Sequence, residues 1–387
     1  MPALPDTMQA LIIQHPLASD FSNLTVEQRP VLKPTGTQVL VRVKAVSLNA
    51  RDAQIASGTY PAPIQVQAGI VAGSDAAGDI VAVGEGVSRV QIGDRVTPIF
   101  SQSFLHGDFD PDYQKSGLGG GLDGVLREYF LCDESGVVSI PEHLTYEQAC
   151  CSVITGVTSW HCLYGHKDKL ETGQTVLAMG TGGVSLYAAQ LALAAGCEVI
   201  VTSSSDEKLE RARRELAGLG GRIKTLNYRT IPEWEKEVRK LTGGRGVDHV
   251  IEIGGAGTLV RSIRSCRPGG NVWVVGYMSD YPTGAVSGQE QPEYAKEILY
   301  SQGQSFLPST LLPRPGPDLT VFPPLVAVVR GVVCGSRDMF EDMNRCVEIN
   351  KIVPIVDKVF PFEQAQEAYR FLDSGKHFGK VVISLEK

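Results

Sequence analysis

The sequence predicts an α/β chain in two parts, a doubly wound parallel sheet and an all-β, barrel-like domain before it. Three observations predict this. The run Val176-Leu-Ala-Met-Gly180-Thr-Gly182-Gly183-Val184-Ser185 is an apolar strand that ends in a glycine-rich turn. An Ala/Leu-rich helix over 186–195 and a second apolar strand over 198–202 follow at once, a strand–turn–helix–strand unit. Residues 8–46 and 70–99 instead show short Val- and Gly-rich strands separated by turns.

Each element follows from local pattern. Met8–Ile13 and Gln38–Val46 read as strands, and in the second Val39, Val41 and Val43 alternate with Leu40, Arg42 and Lys44. Turns are expected at Gly84-Glu-Gly86 and Gly93-Asp94, and a polar, glycine-rich loop over 101–124. From about residue 145, helix and strand alternate. Strands over 248–253 and 271–276 run into glycine, so Gly254 and Gly276 are expected at the carboxyl edge of the sheet, where ligands bind. Residues 280–324 hold eight prolines and little periodicity, and read as an insertion: a surface segment, a lid or a subunit contact. Val326–Val329 and Val332-Val333 read as strand, Arg337–Cys346 as helix and Gly379–Ser384 as a closing strand.

Composition narrows the function. A chain of 387 residues exceeds one ordinary core, so two domains are expected. Hydrophobic content of 43% and charged content of 20% are those of a globular protein. A net charge of −7 with no Lys/Arg cluster argues against nucleic acid or an anionic membrane as partner. The N-terminal residues lack a basic-then-apolar signal, no apolar run reaches membrane-spanning length, and a cytoplasmic location is expected. The eight cysteines form no C-x-x-C pair and read as reduced, mostly buried thiols.

The glycine turn carries the chemistry. Glycine lets backbone approach a pyrophosphate, and a helix N-terminus offers N–H groups and partial positive charge. Gly180, Gly182, Gly183 and Val184 are therefore expected to cradle a dinucleotide. The spacing departs from GxGxxG, since Val184 and Ser185 occupy the end of that pattern. An enzyme selecting NAD carries Asp or Glu at the end of the next strand, about 20 residues on, to bond the ribose 2′-hydroxyl. That position falls near Ser203, in Thr202-Ser-Ser-Ser-Asp206-Glu207-Lys208. Ser203, Ser204 and Lys208 suit the 2′-phosphate of NADP(H) instead, and Asp206 and Glu207 have a helix-start reading.

Several motifs then converge. Asn49-Ala-Arg-Asp52, Gly69 to Gly86, Gly93-Asp-Arg-Val96, Thr155-Gly-Val-Thr-Ser-Trp160, the glycine turn and His377-Phe-Gly-Lys-Val-Val382 resemble the medium-chain dehydrogenase/reductase superfamily over nearly the whole chain. The resemblance implies a GroES-like catalytic domain over 1–145, with 345–387 returning to it. It implies a Rossmann domain over 146–344 that contains the 280–324 insertion. It also implies an NADP(H)-dependent oxidoreductase acting on a small molecule, and a homodimer paired through late sheet strands near Val326 to Val333. Asn49 and Tyr60 would face the nicotinamide and substrate carbonyl, Thr158 the nicotinamide, and Tyr228 the 2′-phosphate. Phe378 and Lys380 fall in the matching C-terminal motif and are assigned to the cofactor. Arg51 and Asp52 read as a surface ion pair, with an orienting pair as the alternative.

Zinc members of the family place Cys at the position of Asn49, and Gly-His-Glu where this chain has Gly73-Ser74-Asp75. Of the three catalytic ligands only Cys151 remains, and the loop near 101–120 has no cysteine for a structural zinc lobe. The sequence therefore resembles zinc-independent quinone oxidoreductases, with no metal site. A zinc ion lowers the pKa of bound water from about 15.7 to about 7, on the order of 12 kcal/mol at about 1.36 kcal/mol per unit. Nor do any of the twelve tyrosines have a lysine four residues later. Hydride addition to an activated C=C or a quinone needs less help, chiefly a hydrogen bond to the carbonyl oxygen. Alcohol/aldehyde interconversion, and a non-catalytic NADPH-binding module, remain alternatives on sequence alone.

Overall fold

A computed structural model of the chain describes residues 4–15, 20–60, 66–278 and 327–386. The 280–324 insertion and Val326 lie outside the described residues. The chain divides into two compact units, with breaks at Val157/Thr158 and Val333/Cys334. The sequence reading set them at 145/146 and 344/345.

The first unit is built on β-sheets. A small antiparallel sheet has the order β2 (Leu24–Pro30), β1 (Thr7–Ile13), β4 (Ile70–Val71). The larger sheet centres on β3 (Gln38–Leu48) and β5 (Asp75–Val83). From β5 it continues through β6 (Arg95–Pro98) to β8 (Val137–Ser139). On the other side of β3, β7 (Tyr129–Asp133) pairs with residues 38–42, and β16 (Lys380–Ser384) with residues 45–48. β15 (Val356–Pro361) lies parallel to β16 at the edge. With partners along both sides, β3 buries most of its residues, and only Arg42 is exposed. The expected half-buried alternation therefore survives only at Arg42 and Lys44. The C-terminal helix Ala365–Asp373 adds Ala368 and Tyr369 to the same core, where Tyr369 lies 5.7 Å from Phe21. Among the described residues, the 101–124 loop holds one 3-10 turn, Pro111–Ser116.

The second unit is a six-stranded sheet. Its strands are β9 (Thr175–Ala178), β10 (Glu198–Ser203), β11 (Arg222–Asn227), β12 (Val247–Glu252), β13 (Cys266–Val274) and β14 (Val328–Gly331). The order is β11-β10-β9-β12-β13-β14 and every pairing is parallel. This is the doubly wound order, with the switch point between β9 and β12. β12 is buried at every position, as a strand covered on both faces must be. Helix Gly183–Ala194 joins β9 to β10 and starts earlier than sequence predicted; its Ala/Leu surface is buried all round from Ser185 to Leu193. Helix Asp206–Glu215 joins β10 to β11 and buries only Leu209 and Ala212. Acidic residues in its first turn and arginines in its last complement the helix dipole.

Buried polar groups lock this sheet internally. Asp248 of β12 accepts from Thr175 N (2.9 Å), Arg245 Nη2 (2.7 Å) and Arg267 Nε (2.5 Å). Burial opposes its charge, but these bonds outweigh burial and hold the carboxyl down at about 2. Beside it runs a ring column: His161 against His166 (4.9 Å), His166 against Trp273 (4.8 Å) and Trp273 against His249 (6.0 Å). Trp273 Nε1 donates to His249 Nδ1 (3.1 Å), so the His249 proton sits on Nε2 and faces Gln174 Oε1 (3.0 Å). Burial pulls both His249 and His166 down to about 4, with His161 and Arg330 adding to the shift at His166.

These shifts set a sign. A histidine held neutral at low pKa stabilises the fold fully above its ordinary 6.5, and that contribution is lost as pH falls from 6.5 to about 4. Asp75, pushed up to about 6 by burial, acts with the opposite sign in the same range, so total stability mixes the two. His166→Phe keeps the ring and removes the titration. Its melting temperature relative to wild type is expected to rise as pH is lowered from 6.5 toward 4. Parallel melting curves for the two proteins would refute this.

Candidate active site

In the first unit, three strands bring Asn49, Asp75 and Lys380 together. Ser47 of β3 pairs with Asp75 of β5, and Leu48 pairs with Val381 of β16. β3 ends at Leu48, and helix Ala50–Ser57 begins after Asn49. Lys380 Nζ donates to Leu48 O and Asn49 Oδ1, both at 2.6 Å. Asn49 Nδ2 donates to Asp75 Oδ2 (2.8 Å) and makes a long contact to Ser74 Oγ (3.4 Å). An ammonium only donates and a carboxylate only accepts, so the two neighbours fix which way the amide points.

A second layer holds this group. Asp52 accepts from Asn49 N (2.8 Å) and Ser74 Oγ (2.9 Å), while Asp75 also accepts from Ser47 Oγ (3.3 Å) and Ile154 N (3.4 Å). Asn49, Asp52, Ser74, Asp75 and Lys380 are all buried. Burial pushes Asp75 up to about 6 although Lys380 and Asn49 pull it down, and burial likewise raises Asp52 against the pull of Arg51.

Arg51 and Asp52 are not the surface pair the sequence suggested. The Arg51 side chain is 10% exposed and that of Asp52 1%, with 3.5 Å between Nη1 and Oδ1. Arg51 Nη1 donates to Leu118 O (2.9 Å), and its guanidinium lies over Phe100 (4.7 Å) and Tyr60 (5.4 Å). Tyr60 is half-buried and packs on the apolar core beside it. Cys151 is fully buried and its thiol donates to Glu147 O (3.2 Å). Phe378 is buried, and its N–H donates to Asp357 Oδ2 (3.1 Å).

In the second unit, the assigned residues gather at the carboxyl ends of β9, β10 and β11. Gly180 takes φ +78°, a left-handed turn that favours glycine, and its N–H donates to Thr202 Oγ1 (3.2 Å). A Cβ added at Gly180 or Gly182 would meet nothing within 4 Å, so the turn borders open space. Gly182 precedes the first turn of the helix, which contains Gly183 and Val184. Thr158 is buried on helix Thr155–Tyr164, beside Ser159, whose hydroxyl donates to Val184 O (2.9 Å).

Ser203 ends β10 opposite Asn227 of β11. Its Oγ accepts from Ser205 N (3.2 Å) and its carbonyl accepts from Tyr228 N (3.1 Å). Ser205 caps the next helix by accepting from Lys208 N (3.3 Å). Ser203, Ser204, Lys208 and the 43% exposed Tyr228 thus share one loop cluster.

Gly254 and Gly276 are a different kind of glycine. A Cβ at Gly254 would stand 2.3 Å from Thr258 Oγ1, and one at Gly276 2.7 Å from Ile253 O. Close packing requires them. Sequence reasoning missed the residue that organises their loops. Glu252 ends β12 fully buried and accepts from Gly254 N (2.7 Å), Gly255 N (3.1 Å), Thr258 Oγ1 (2.6 Å) and Ser262 Oγ. Burial raises its carboxyl despite these donors. An acid two residues before Gly254-Gly255, with Thr258 and Ser262 following at the next helix, was the available signal. Asp52, Ser74 and Asp75 were likewise not assigned a role from sequence.

Comparison with known proteins agrees with this architecture. Residues 35–142 match the model of the alcohol dehydrogenase GroES-like domain, and residues 183–298 that of the zinc-binding dehydrogenases. A zinc-type alcohol dehydrogenase-like protein of Schizosaccharomyces pombe is 38% identical over 376 residues, 97% of this chain and 99% of that one. A quinone oxidoreductase of Pseudomonas aeruginosa is 31% identical over 253 residues, 65% of this chain and 69% of that one. The crystal structure of an NAD-dependent alcohol dehydrogenase superposes with a TM-score of 0.75 at 27% identity, covering 98% of this chain and 100% of that one. These relatives set aside the non-catalytic reading. The chain belongs to the medium-chain dehydrogenase/reductase superfamily and is an oxidoreductase of that type, served by a nicotinamide dinucleotide.

Proposed function

We propose that this chain is a zinc-independent, NADPH-dependent oxidoreductase that delivers hydride to an activated C=C or a quinone of a small molecule. One observation carries the reading: the residues at the family's ligand positions are already engaged in hydrogen bonds to other groups of the protein. The Asn49 amide is taken by Lys380 and Asp75, and the Ser74 hydroxyl by Asp52. The Cys151 thiol donates to Glu147 O. A catalytic zinc needs about three deprotonated or neutral N, S or O ligands around an open position. A neutral amide and hydroxyl held in this way, with an ammonium 2.6 Å from the amide oxygen, do not fit that ion.

The dinucleotide does fit. Gly180 and Gly182 leave a cradle that a Cβ would fill, next to the N-terminus of a twelve-residue helix. When bound, NADPH supplies the hydride. Ser203, Ser204, Lys208 and Tyr228 bind its 2′-phosphate in this reading, since no carboxylate occupies the end of β10. Asn49 orients the substrate carbonyl with the amide hydrogen that makes only the long Ser74 contact, and Tyr60 sits by Arg51 as the second polar group. Lys380, drawn toward Asn49, acts on the amide by fixing its direction and polarising it. A second reading, alcohol/aldehyde interconversion, is favoured by the name of the 38% identical relative.

The reading is tested by NADPH consumption against enones, quinones, aldehydes and ketones, with NADH and EDTA in parallel. The expected result is EDTA-resistant turnover of an enone to the saturated ketone, with NADPH preferred. An allylic alcohol as product would favour the second reading, and loss of activity in EDTA would overturn zinc independence. Ser203→Asp, which puts a carboxylate beside the 2′-position, is expected to reduce the NADPH/NADH ratio of kcat/KM by about tenfold or more. Lys380→Met leaves Asp75 without its cation and is expected to cost about 3–5 kcal/mol in urea unfolding. The cost should shrink as pH falls, because a protonated Asp75 no longer needs a partner; a cost independent of pH would argue against this pairing.

A further inference from the structure

The loop at the end of β10 carries a feature that the NADPH reading leaves unexplained. Ser203 lacks the carboxylate that would select NAD, yet Asp206 stands only three residues later. Asp206 is an exposed residue in the first turn of its helix, just after the Ser205 cap. A free carboxylate there would face the same loop cluster as Ser204, Lys208 and Tyr228, and would repel a phosphate of about −1.5 to −2 charge.

The structure shows what becomes of that carboxylate. Asn227, the last residue of β11 and the register partner of Ser203, is buried. Its Nδ2 donates to Asp206 Oδ1 at 2.8 Å, and its Oδ1 accepts from Arg229 N at 3.0 Å. The backbone donor fixes the amide's orientation, so the NH2 group must face the acid. Asn227 O also accepts from Ile231 N (3.0 Å) and Thr230 Oγ1 (3.2 Å), which anchors the turn that carries Tyr228 and Arg229. One buried side chain thus clamps the acid of the β10 loop to the end of β11. Glu207, beside Asp206 in the same helix turn, is exposed.

We propose that Asn227 is a specificity-determining positioning residue: it holds the Asp206 carboxylate against β11 and so leaves the Ser203–Lys208 loop able to accept the 2′-phosphate of NADPH. The inference rests on the NADPH reading above. It assigns cofactor choice to two elements together, a serine where NAD enzymes have an acid and an amide that restrains the next acid along.

The test is direct binding of NADPH and of NADH to the full chain, followed by fluorescence titration, for wild type, Asn227→Ala, Asp206→Asn and the double variant. Asn227→Ala is expected to raise the Kd for NADPH about tenfold, with less than about twofold change for NADH, as one released carboxylate near a phosphate would do. Asp206→Asn alone should change either Kd by less than about twofold, and adding it to Asn227→Ala should restore NADPH binding, the coupling expected of contacting residues. Equal loss for both cofactors, or no rescue in the double variant, would overturn the inference by showing a general packing role. Asn227→Ser, which keeps a small polar group, replaces the alanine variant if that one does not fold. Wild type that binds NADH as tightly as NADPH would overturn the NADPH reading and this inference with it. Wild-type preference for NADPH without rescue would overturn the inference alone.

Discussion

A charge taken out of water must be given donors or a counter-charge, and that constraint organises both units of this protein. In the first unit Asp75 and Asp52 are answered by Lys380, Arg51, Asn49 and Ser74, drawn from β16, the residue before β5 and a helix start. In the second, Asp248 is answered by two arginines and a backbone N–H, and Glu252 by two backbone N–H groups and two hydroxyls. The apolar cores around them are interchangeable in kind with those of many α/β proteins. These polar groups are not, because a buried acid that loses its donor has nowhere to find another. They therefore fix registers: Lys380 reaches Asn49 only if β16 pairs with β3 as it does.

The same constraint bears on chemistry. The Asn49 centre is arranged around an ammonium and two carboxylates whose bonds are nearly all internal. A centre of that kind offers orientation and polarity more readily than a strong acid or a strong base. Hydride addition to a conjugated acceptor asks for little more, since the negative charge appears on an oxygen remote from the reacting carbon. Lys380 belongs to this centre, although the C-terminal motif suggested a cofactor contact. Its role toward the cofactor, in the proposed reading, is exercised through the residue it holds.

Much of this was legible in the sequence where the signal was local. The strand and glycine turn at 176–185, the strand at 198–203 and the serine at its end are each written in a few adjacent residues, and the parallel order follows from their alternation with helices. The family resemblance was also readable. What was not readable depended on distant pairing. Arg51 looks like a surface residue because its burial comes from Phe100 and from the loop near Leu118, far along the chain. Glu252 looks like the end of an ordinary strand, because its donors belong to the turn and helix that follow. β3 alternates in sequence but not in burial, since three strands share its two edges.

The glycines that the sequence assigned to the cofactor differ sharply in their surroundings. Gly180 and Gly254 both follow a buried strand of the same sheet, and a pattern reader treats them alike. Physically they are opposites. At Gly180 the missing Cβ leaves space beside a left-handed turn, which is what a ligand backbone approach requires. At Gly254 the missing Cβ is already filled by Thr258, whose hydroxyl is bound to Glu252. The first leaves room that a ligand can take; the second has its room taken by packing. Gly180 and Gly182 border open space, and Gly254 and Gly276 are packed into the sheet edge.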